Sequence, residues 1–229
     1  MRQRAFFNWS SGKDSALALY KAMESGRFDV AALFTTVDGA HNAVSMHGVS
    51  AGLLRKQAES MGLPLTVFSW DVRMSPAQYG AAMREAMERM KQQGIDTAIY
   101  GDIFLQEVRS RREEKLRGSG LRAAFPLWGM PPEQVMREVI DLGFRAVVTA
   151  VDGSVLDGSF VGRILDDEFL RALPPQADVC GENGEYHTFV FDGPMFRTPV
   201  AFQTEGVECR EYAPDSAGKG ASIYQLRIR

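Results

Sequence analysis

The segment Arg4-Ala5-Phe6-Phe7-Asn8-Trp9-Ser10-Ser11-Gly12-Lys13-Asp14-Ser15 joins an apolar run to a cluster of small polar residues. Residues 4–9 predict a buried strand, and the spacing of apolar residues over 14–25 predicts a helix that stops at Gly26. A small-residue loop that enters a helix presents unpaired N–H groups and the positive end of the helix dipole. The segment therefore predicts an anion site, most simply for phosphate.

The side chains of this loop suit such a site. Ser10, Ser11 and Ser15 supply hydroxyl donors, and Lys13 supplies a positive charge. The alternative is a simple helix cap, because Ser and Asp are common N-cap residues. We favour the anion site, since open α/β sheets bind ligands at strand-to-helix turns of this kind.

Two familiar phosphate loops do not fit this segment. Phe7 occupies the first glycine position of G-x-x-x-x-G-K-[ST], and Asp14 replaces the Ser or Thr that would hold magnesium. The dinucleotide pattern G-x-G-x-x-G is also absent from the segment.

The rest of the chain divides into two patterns. Strands are expected at 29–37, 63–70, 97–103, 124–128 and 146–151, and helices at 50–61, 75–93, 105–117 and 132–142. This alternation predicts an α/β domain over residues 1–151, with a mostly parallel, doubly wound sheet. A smaller α+β domain is expected over residues 152–229, where short alternating runs occur at 185–191, 199–202, 207–212 and 223–228.

Composition narrows the class of protein. The chain has 229 residues, 45% of them hydrophobic, and a formal net charge of −3, which argues against nucleic acid as a partner. Apolar runs are too short for a membrane span, and the N-terminus lacks the apolar core of a secretory signal. Cys180 and Cys209 have no metal-ligand spacing, and His41 and His47 lack a third ligand. We expect a cytoplasmic protein with reduced thiols and no metal held by side chains alone.

Later segments show a family resemblance. Residues 10–15 resemble the PP-loop, SGGxDS, of the ATP pyrophosphatases, with Ser11 at the first Gly. Together with Gly101-Asp102-Ile103, Pro126-Leu127-Trp128 and DVCGENGEYHT at 178–188, they resemble the adenine nucleotide α-hydrolase-like family that contains diphthine–ammonia ligase. The resemblance runs from about residue 4 to residue 197 and implies a HUP-like fold.

One departure from the family pattern concerns the segment at 178–188. Family members from archaea and eukaryotes carry a segment resembling GEGGEYET, where this chain has GENGEYHT at 181–188. Asn183 replaces a Gly and His187 replaces a Glu. The chain thus looks like the bacterial-type branch of the family, and its acceptor is left open.

The resemblance implies an activity and a set of site residues. The implied reaction splits ATP between its α- and β-phosphates, with Mg²⁺ as cofactor, and adenylates a carboxylate. Ammonia then converts the adenylated carboxylate into an amide. The expected catalytic residues are Lys13, Asp14, Glu182 and Glu185. The expected nucleotide-binding residues are Ser10, Ser11, Gly12, Lys13, Asp14, Ser15, Gly101 and Asp102, and the expected substrate-binding residues are Arg109, Arg112, Asn183 and His187.

Each of the later site residues also has a structural interpretation. Asp102 is suited to cap the next helix, and Arg109 and Arg112, three residues apart, are suited to a solvated helix face. Glu182 and Glu185 are suited to a solvated turn, and a lone histidine such as His187 is often structural. Two functional alternatives also remain: an adenine-nucleotide sensor without turnover, and a PP-loop tRNA-modifying enzyme. The sequence leaves the oligomeric state open, a homodimer included.

Overall fold

The computed structural model describes residues 2–40, 43–44, 48–71, 73–212 and 221–229. His41 and His47 lie outside these ranges. A five-stranded parallel sheet has the order β3-β2-β1-β4-β5. Its strands are β1 (Gln3–Asn8), β2 (Phe28–Asp38), β3 (Leu65–Trp70), β4 (Thr97–Ile99) and β5 (Arg122–Ala124). The predicted α/β class with a mostly parallel sheet is confirmed.

Five helices connect or follow these strands: α1 (Lys13–Glu24), α2 (Ala51–Met61), α3 (Pro76–Gln92), α4 (Gln106–Leu116) and α5 (Pro132–Asp141). Their ends follow local chemistry. Ser50 caps α2 by accepting a hydrogen bond from the Leu53 amide, and a left-handed Gly62 ends that helix. Ser75 and Gln78 form a capping box at the start of α3.

The strand order reverses between β1 and β4. From β1 the chain moves outward to β2 and β3 on one side, and later to β4 and β5 on the other. Loops that leave the carboxyl ends of two such neighbouring strands diverge and open a crevice between them. The loop at residues 9–12, between β1 and α1, lies at this crevice.

A second sheet is antiparallel and has the order β7-β6-β9-β8. Its strands are β6 (Arg145–Asp152), β7 (Tyr186–Asp192), β8 (Thr204–Tyr212) and β9 (Ala221–Ile228), accompanied by α6 (Asp167–Ala172) and a short 3₁₀ turn at Gly158–Phe160.

The structure corrects the expected place of β6. The alternating pattern places residues 146–151 beside the parallel strands of the first domain, but β6 pairs antiparallel with β7 and β9. Its residues 146–151 are all buried, and such an apolar run is typical of a central strand in either kind of sheet. The domain boundary at residue 151 stays a prediction.

Three other expected extended segments also differ from the structure. The one expected at 124–128 lies at 122–124 as β5, and residues 126–129 form a turn. Residues 199–202 form no strand, because Pro199 has no N–H to donate, and the Val200 amide makes a single bond to the Phe191 carbonyl. The strand expected at 97–103 ends at Ile99, so residues 100–105 are free to line the crevice as irregular chain.

The main hydrophobic core extends across both sheets. It contains Phe7 of β1 and Leu17 of α1 from the parallel-sheet part of the chain, and Tyr186 and Phe189 of β7 from the antiparallel sheet, all buried. Burial of such large side chains in one cluster stabilises the two sheets against each other. Within the described ranges, every helix is too short or too polar to cross a lipid bilayer.

Candidate functional site

The crevice at the ends of β1 and β4 holds a cleft of about 220 Å³. Three segments that are far apart in sequence form most of its walls, namely residues 8–15, residues 100–102 and residues 181–188, and Arg112 of α4 completes them. Its lining includes Asn8, Ser10, Gly12, Lys13, Asp14, Ser15, Tyr100, Gly101, Asp102, Arg112, Gly181, Glu182, Gly184, Tyr186, His187 and Thr188.

The loop after β1 has an unusual backbone. Among the described residues, Ser11 is the one non-glycine residue with a left-handed backbone, with φ at +75°. This explains why Gly suits the position in the PP-loop pattern, since Gly enters this region without steric penalty. Ser11 is fully buried, and its hydroxyl oxygen has no hydrogen-bond partner in the described part of the chain.

The other loop donors suit an anion. The Ser10 and Ser15 hydroxyls are hydrogen-bonded to each other at 2.7 Å, and the Ser10 amide donates to Ser15 Oγ. Within the described ranges, the amides of Gly12 and Ser15 donate to no protein acceptor. Because these amides lie at the start of α1, the helix dipole favours an anion there.

Lys13 lines the cleft, but its side chain is bound by protein groups. The ammonium lies 2.9 Å from Asp14 Oδ2, donates to the Cys180 carbonyl, and sits 4.9 Å from the centre of the Tyr186 ring. Burial favours a lower pKa for Lys13, but the Asp14 carboxylate and its other neighbours outweigh burial and raise the pKa above its ordinary value. Lys13 is therefore a fixed positive charge between the loop and the segment that contains Cys180 and Tyr186.

Asp14 contributes an oxygen that the protein does not use. Its Oδ2 binds Lys13, whereas Oδ1 is buried and has no partner among the described residues. Asp102 Oδ2 is likewise buried without a hydrogen bond, although Arg112 Nε lies 3.5 Å away. Asp102 does not cap α4, whose N-cap residue is Leu105.

Gly101 allows the segment after β4 to approach the start of α1 closely. A Cβ atom at this position would lie 3.2 Å from the Asp14 carbonyl carbon and from the Ser15 Cα. Such contacts are with backbone, which cannot easily move aside. Gly101 thus serves the cleft by its lack of a side chain.

The two arginines of α4 have different environments. Arg112 lines the cleft, and its guanidinium lies 5.1 Å from the Tyr100 ring centre. Arg109 instead lies over the Phe125 and Trp128 rings and pairs with Glu113 at 2.8 Å. The aromatic pair after β5 holds this side chain outside the cleft lining, and the expected substrate contact of Arg109 stays a prediction.

Glu185 and Asn183 form an internal contact of the turn before β7. The Glu185 carboxylate is 6% exposed and accepts hydrogen bonds from the Asp178 amide, the Asn183 amide and the Asn183 side chain. Neither residue lines the cleft. Both residues thus help to shape the turn, and the expected catalytic role of Glu185 and substrate contact of Asn183 stay predictions.

Glu182 of this turn and His187 of β7 are titratable groups that line the cleft. Glu182 accepts a hydrogen bond from the Ile103 amide at 3.0 Å, and burial raises its pKa to about 7. Burial lowers the pKa of His187 to about 4, and the positive Lys13 adds to this shift. At neutral pH, His187 is thus uncharged and Glu182 exchanges its proton readily.

Sequence reasoning missed several lining residues. Asn8 ends β1 and Tyr100 directly follows β4, so their positions at adjacent strand ends were a usable signal. Thr188, whose hydroxyl accepts from the Lys13 amide at 3.1 Å, gave no local signal, because it is 175 residues away.

Two larger cavities adjoin the cleft. One, of about 340 Å³, shares Asn8, Ser10, Tyr100 and Arg112 with it and is otherwise lined by Trp9, Phe34, Thr35, Thr36, Val44, Tyr79, Met83, Met87, Lys115 and Leu116. The other, of about 770 Å³, shares Gly184 and His187 with the cleft and extends along β6, β8 and β9. Within the described ranges, no group of three or more His, Cys, Asp or Glu side chains has metal-site geometry.

Comparison with known proteins identifies the family. The model of the diphthamide synthase N-terminal domain matches residues 2–123, and that of the diphthamide synthase C-terminal domain matches residues 131–213. The chain belongs to the diphthamide synthase family. This confirms the resemblance carried by the PP-loop and the three later segments, whereas the bacterial-type branch stays a prediction.

Relatives in this family support the same assignment. The chain is 26% identical to diphthine–ammonia ligase from Bos taurus and 27% identical to that from Homo sapiens, over 96% of this chain and 88% of each relative. Among solved structures, the U34-tRNA thiolase NcsA from Methanococcus maripaludis matches with a TM-score of 0.40 at 16% identity, over 62% of this chain and 58% of that one. A structural likeness this small supports no functional conclusion.

Proposed function

We propose that this diphthamide synthase family member is an ATP-dependent ligase that adenylates a carboxylate and transfers it to ammonia, releasing AMP and pyrophosphate. One observation carries the proposal. The loop after β1, the Gly101–Asp102 segment and the turn at residues 181–188 meet in one cleft at the start of α1. The names of the relatives, diphthine–ammonia ligases, support ATP-dependent amidation as the type of reaction.

ATP would span the cleft and the 340 Å³ cavity. The Gly12 and Ser15 amides and the Ser10 and Ser15 hydroxyls are suited to its phosphates, and the cavity walled by Phe34, Tyr79 and Met83 is suited to its base. Arg112 lies in the lining of both, which suits it to the α-phosphate, where the bond to pyrophosphate breaks.

Magnesium fits the carboxylates of this cleft. Asp14 Oδ1 and Asp102 Oδ2 are buried oxygens without hydrogen-bond partners in the described chain, and hard cations prefer such oxygen ligands alongside phosphate. These two residues would hold the ion, which when bound would neutralise phosphate charge.

The reaction needs activation because a carboxylate is a poor electrophile. Transfer of AMP to a carboxylate oxygen makes that oxygen part of a good leaving group, and ammonia then displaces AMP to give the amide. Glu182, with a pKa of about 7, is suited to accept the proton that the attacking nitrogen loses. Lys13, held against Asp14, keeps positive charge beside the departing phosphates.

The acceptor would lie in the 770 Å³ cavity, which reaches the cleft at Gly184 and His187. Its described lining has four carboxylates, from Asp38, Asp152, Glu205 and Glu208, against two guanidiniums, from Arg210 and Arg227. Three guanidiniums offset part of this charge, since Arg210 and Arg227 pair with Glu208 and Arg229 pairs with Glu205; the negative charge that remains favours an acceptor that carries a positive group near its reacting carboxylate.

The test is an assay with α-labelled ATP, magnesium, ammonium and a panel of carboxylic acids with and without a positive group. AMP and pyrophosphate formed only with an acid and ammonium present would support the proposal, and Asp14→Asn should abolish their formation. ADP as the main product would refute it. Tight ATP binding without turnover on any acid would favour a nucleotide sensor, and turnover that requires tRNA would favour the tRNA-modifying alternative.

A further inference from the structure

We infer that Gln57 is a positioning residue for the phosphate loop, an assignment that rests on the proposed nucleotide site. Gln57 lies on α2 and is fully buried. It lines neither the cleft nor the 340 Å³ cavity, so it acts through other residues. Nothing in its local sequence sets it apart from the other polar residues of that helix.

The side-chain amide of Gln57 ties together three separate segments. Its Oε1 accepts a hydrogen bond from Trp9 Nε1 at 2.8 Å. Its Nε2 donates to the Ser11 carbonyl at 3.2 Å and to the Val190 carbonyl at 2.6 Å. The amide therefore connects α2, the loop after β1 and strand β7, with its oxygen and both N–H groups in use.

The contact at Ser11 falls on the strained residue of the loop. Ser11 has a left-handed backbone that a residue with a side chain rarely adopts. Its carbonyl also accepts a hydrogen bond from the Val190 amide at 2.9 Å. Two donors thus hold this carbonyl, and they offset the tendency of Ser11 to relax to an ordinary backbone conformation.

This arrangement affects the cleft because Ser11 directly precedes Gly12, the N-cap residue of α1. A change of Ser11 from left-handed to ordinary geometry would rotate the next peptide group and carry the Gly12 amide away from an anion. Gln57 also fixes the edge of β7 against the loop, and β7 carries His187 and Thr188 into the cleft. A chemically exact replacement is not available, since no other side chain presents one acceptor and two donors in this geometry.

The test is a double-mutant cycle on ATP affinity, measured by calorimetry with magnesium. Gln57→Met preserves length and apolar volume but removes all three hydrogen bonds, and we expect ATP to bind at least tenfold more weakly. In a Ser11→Gly background, residue 11 needs no support in the left-handed region. The fold-loss in ATP affinity caused by Gln57→Met should there be at least three times smaller than in the wild-type background. An equal loss in both backgrounds would overturn the inference.

A matched control separates positioning from general destabilisation. Leu54 lies on the same helix and is equally buried, so Leu54→Ala should lower stability while leaving ATP affinity within threefold of the wild type. A loss in Leu54→Ala as large as in Gln57→Met would also overturn the inference. Should Gln57→Met not fold, Trp9→Phe removes only the indole donor and should reduce affinity in the same direction.

Hydrogen exchange distinguishes failure of this inference from failure of the proposed function. Gln57→Met should accelerate exchange in the peptide covering residues 8–15 and at the Val190 amide without any nucleotide present. Faster exchange in a protein that binds no ATP would retain the positioning role and reject the nucleotide site. Unchanged exchange beside normal ATP binding would reject Gln57 alone.

Discussion

Ser11→Gly should make this protein more stable, which is unusual for a change in a ligand-binding loop. The left-handed backbone of Ser11 costs roughly 1–2 kcal/mol in a residue with a Cβ atom. Its buried hydroxyl, which has no partner among the described residues, costs about 1–3 kcal/mol more. Against these, Gly adds entropy to the unfolded chain, at about 0.4–1 kcal/mol.

The balance is a net gain of about 1–2 kcal/mol in the free energy of unfolding, taking the low end of each favourable contribution. In a chain of this size, each kcal/mol of stability shifts Tm by roughly 2–4 °C, so this gain corresponds to a rise of about 2–8 °C in Tm. Urea denaturation should show the same gain as a higher midpoint at unchanged slope. Calorimetric Tm and the urea midpoint should both be measured without nucleotide, so that binding does not contribute.

Two companion variants separate the contribution of the left-handed backbone from that of the buried hydroxyl. Ser11→Ala removes the unpaired hydroxyl but keeps the left-handed demand, so its gain should be smaller than that of Ser11→Gly. Ser75→Gly is a matched control, because Ser75 has an ordinary φ of −64° and its hydroxyl caps α3, and it should lose stability. A Ser11→Gly protein no more stable than the wild type would refute the reasoning, and equal gains for Ala and Gly would refute its backbone part.

Three further predictions concern other parts of the site. Gly101→Ala should weaken ATP binding at least tenfold and lower stability by about 1–3 kcal/mol, because its Cβ would press on the Asp14 backbone; calorimetry that finds normal affinity would contradict this. Burial raises the pKa of Glu182 to about 7, so the folded protein binds this proton more tightly than the unfolded chain and loses stability as pH rises from about 4.5 to about 7. The Tm of Glu182→Gln minus that of the wild type should therefore increase as pH rises across this range. A constant difference would argue against the raised pKa of Glu182. Cys209 is exposed and Cys180 is buried, so Cys209→Ser should remove the rapid phase of reaction with a thiol reagent; a rapid phase that persists would place Cys180 within reach of solvent.

Local sequence was sufficient for most helices and for the loop. Ser50, Ser75 and Gly62 act on neighbouring residues, so their effects can be recognised without knowing the fold. The loop after β1 was predictable for the same reason, since a strand, small residues and a helix follow each other directly. Its position in the crevice also followed from the sequence, because alternating strands and helices build open α/β sheets.

Strand partners were not predictable in the same way. The apolar run of β6 is compatible with either sheet, and only its pairing with β7 and β9, which lie far along the chain, places it in the second one. The contrast between Arg112 and Arg109 has the same origin. Both lie on one face of α4, and the Phe125 and Trp128 rings decide which of them stays out of the cleft.

Residues 178–188 show most clearly what could not be predicted from the sequence. The sequence marked Glu182 and Glu185 as equivalent carboxylates three residues apart, yet burial and the Asp178 and Asn183 donors turn Glu185 inward while Glu182 meets the Ile103 amide at the cleft. The amino-acid sequence alone established the order of elements, the phosphate loop and the family. The tertiary structure decided which charged groups face the cleft and that Gln57 supports Ser11, because those outcomes depend on contacts between residues that only folding brings together.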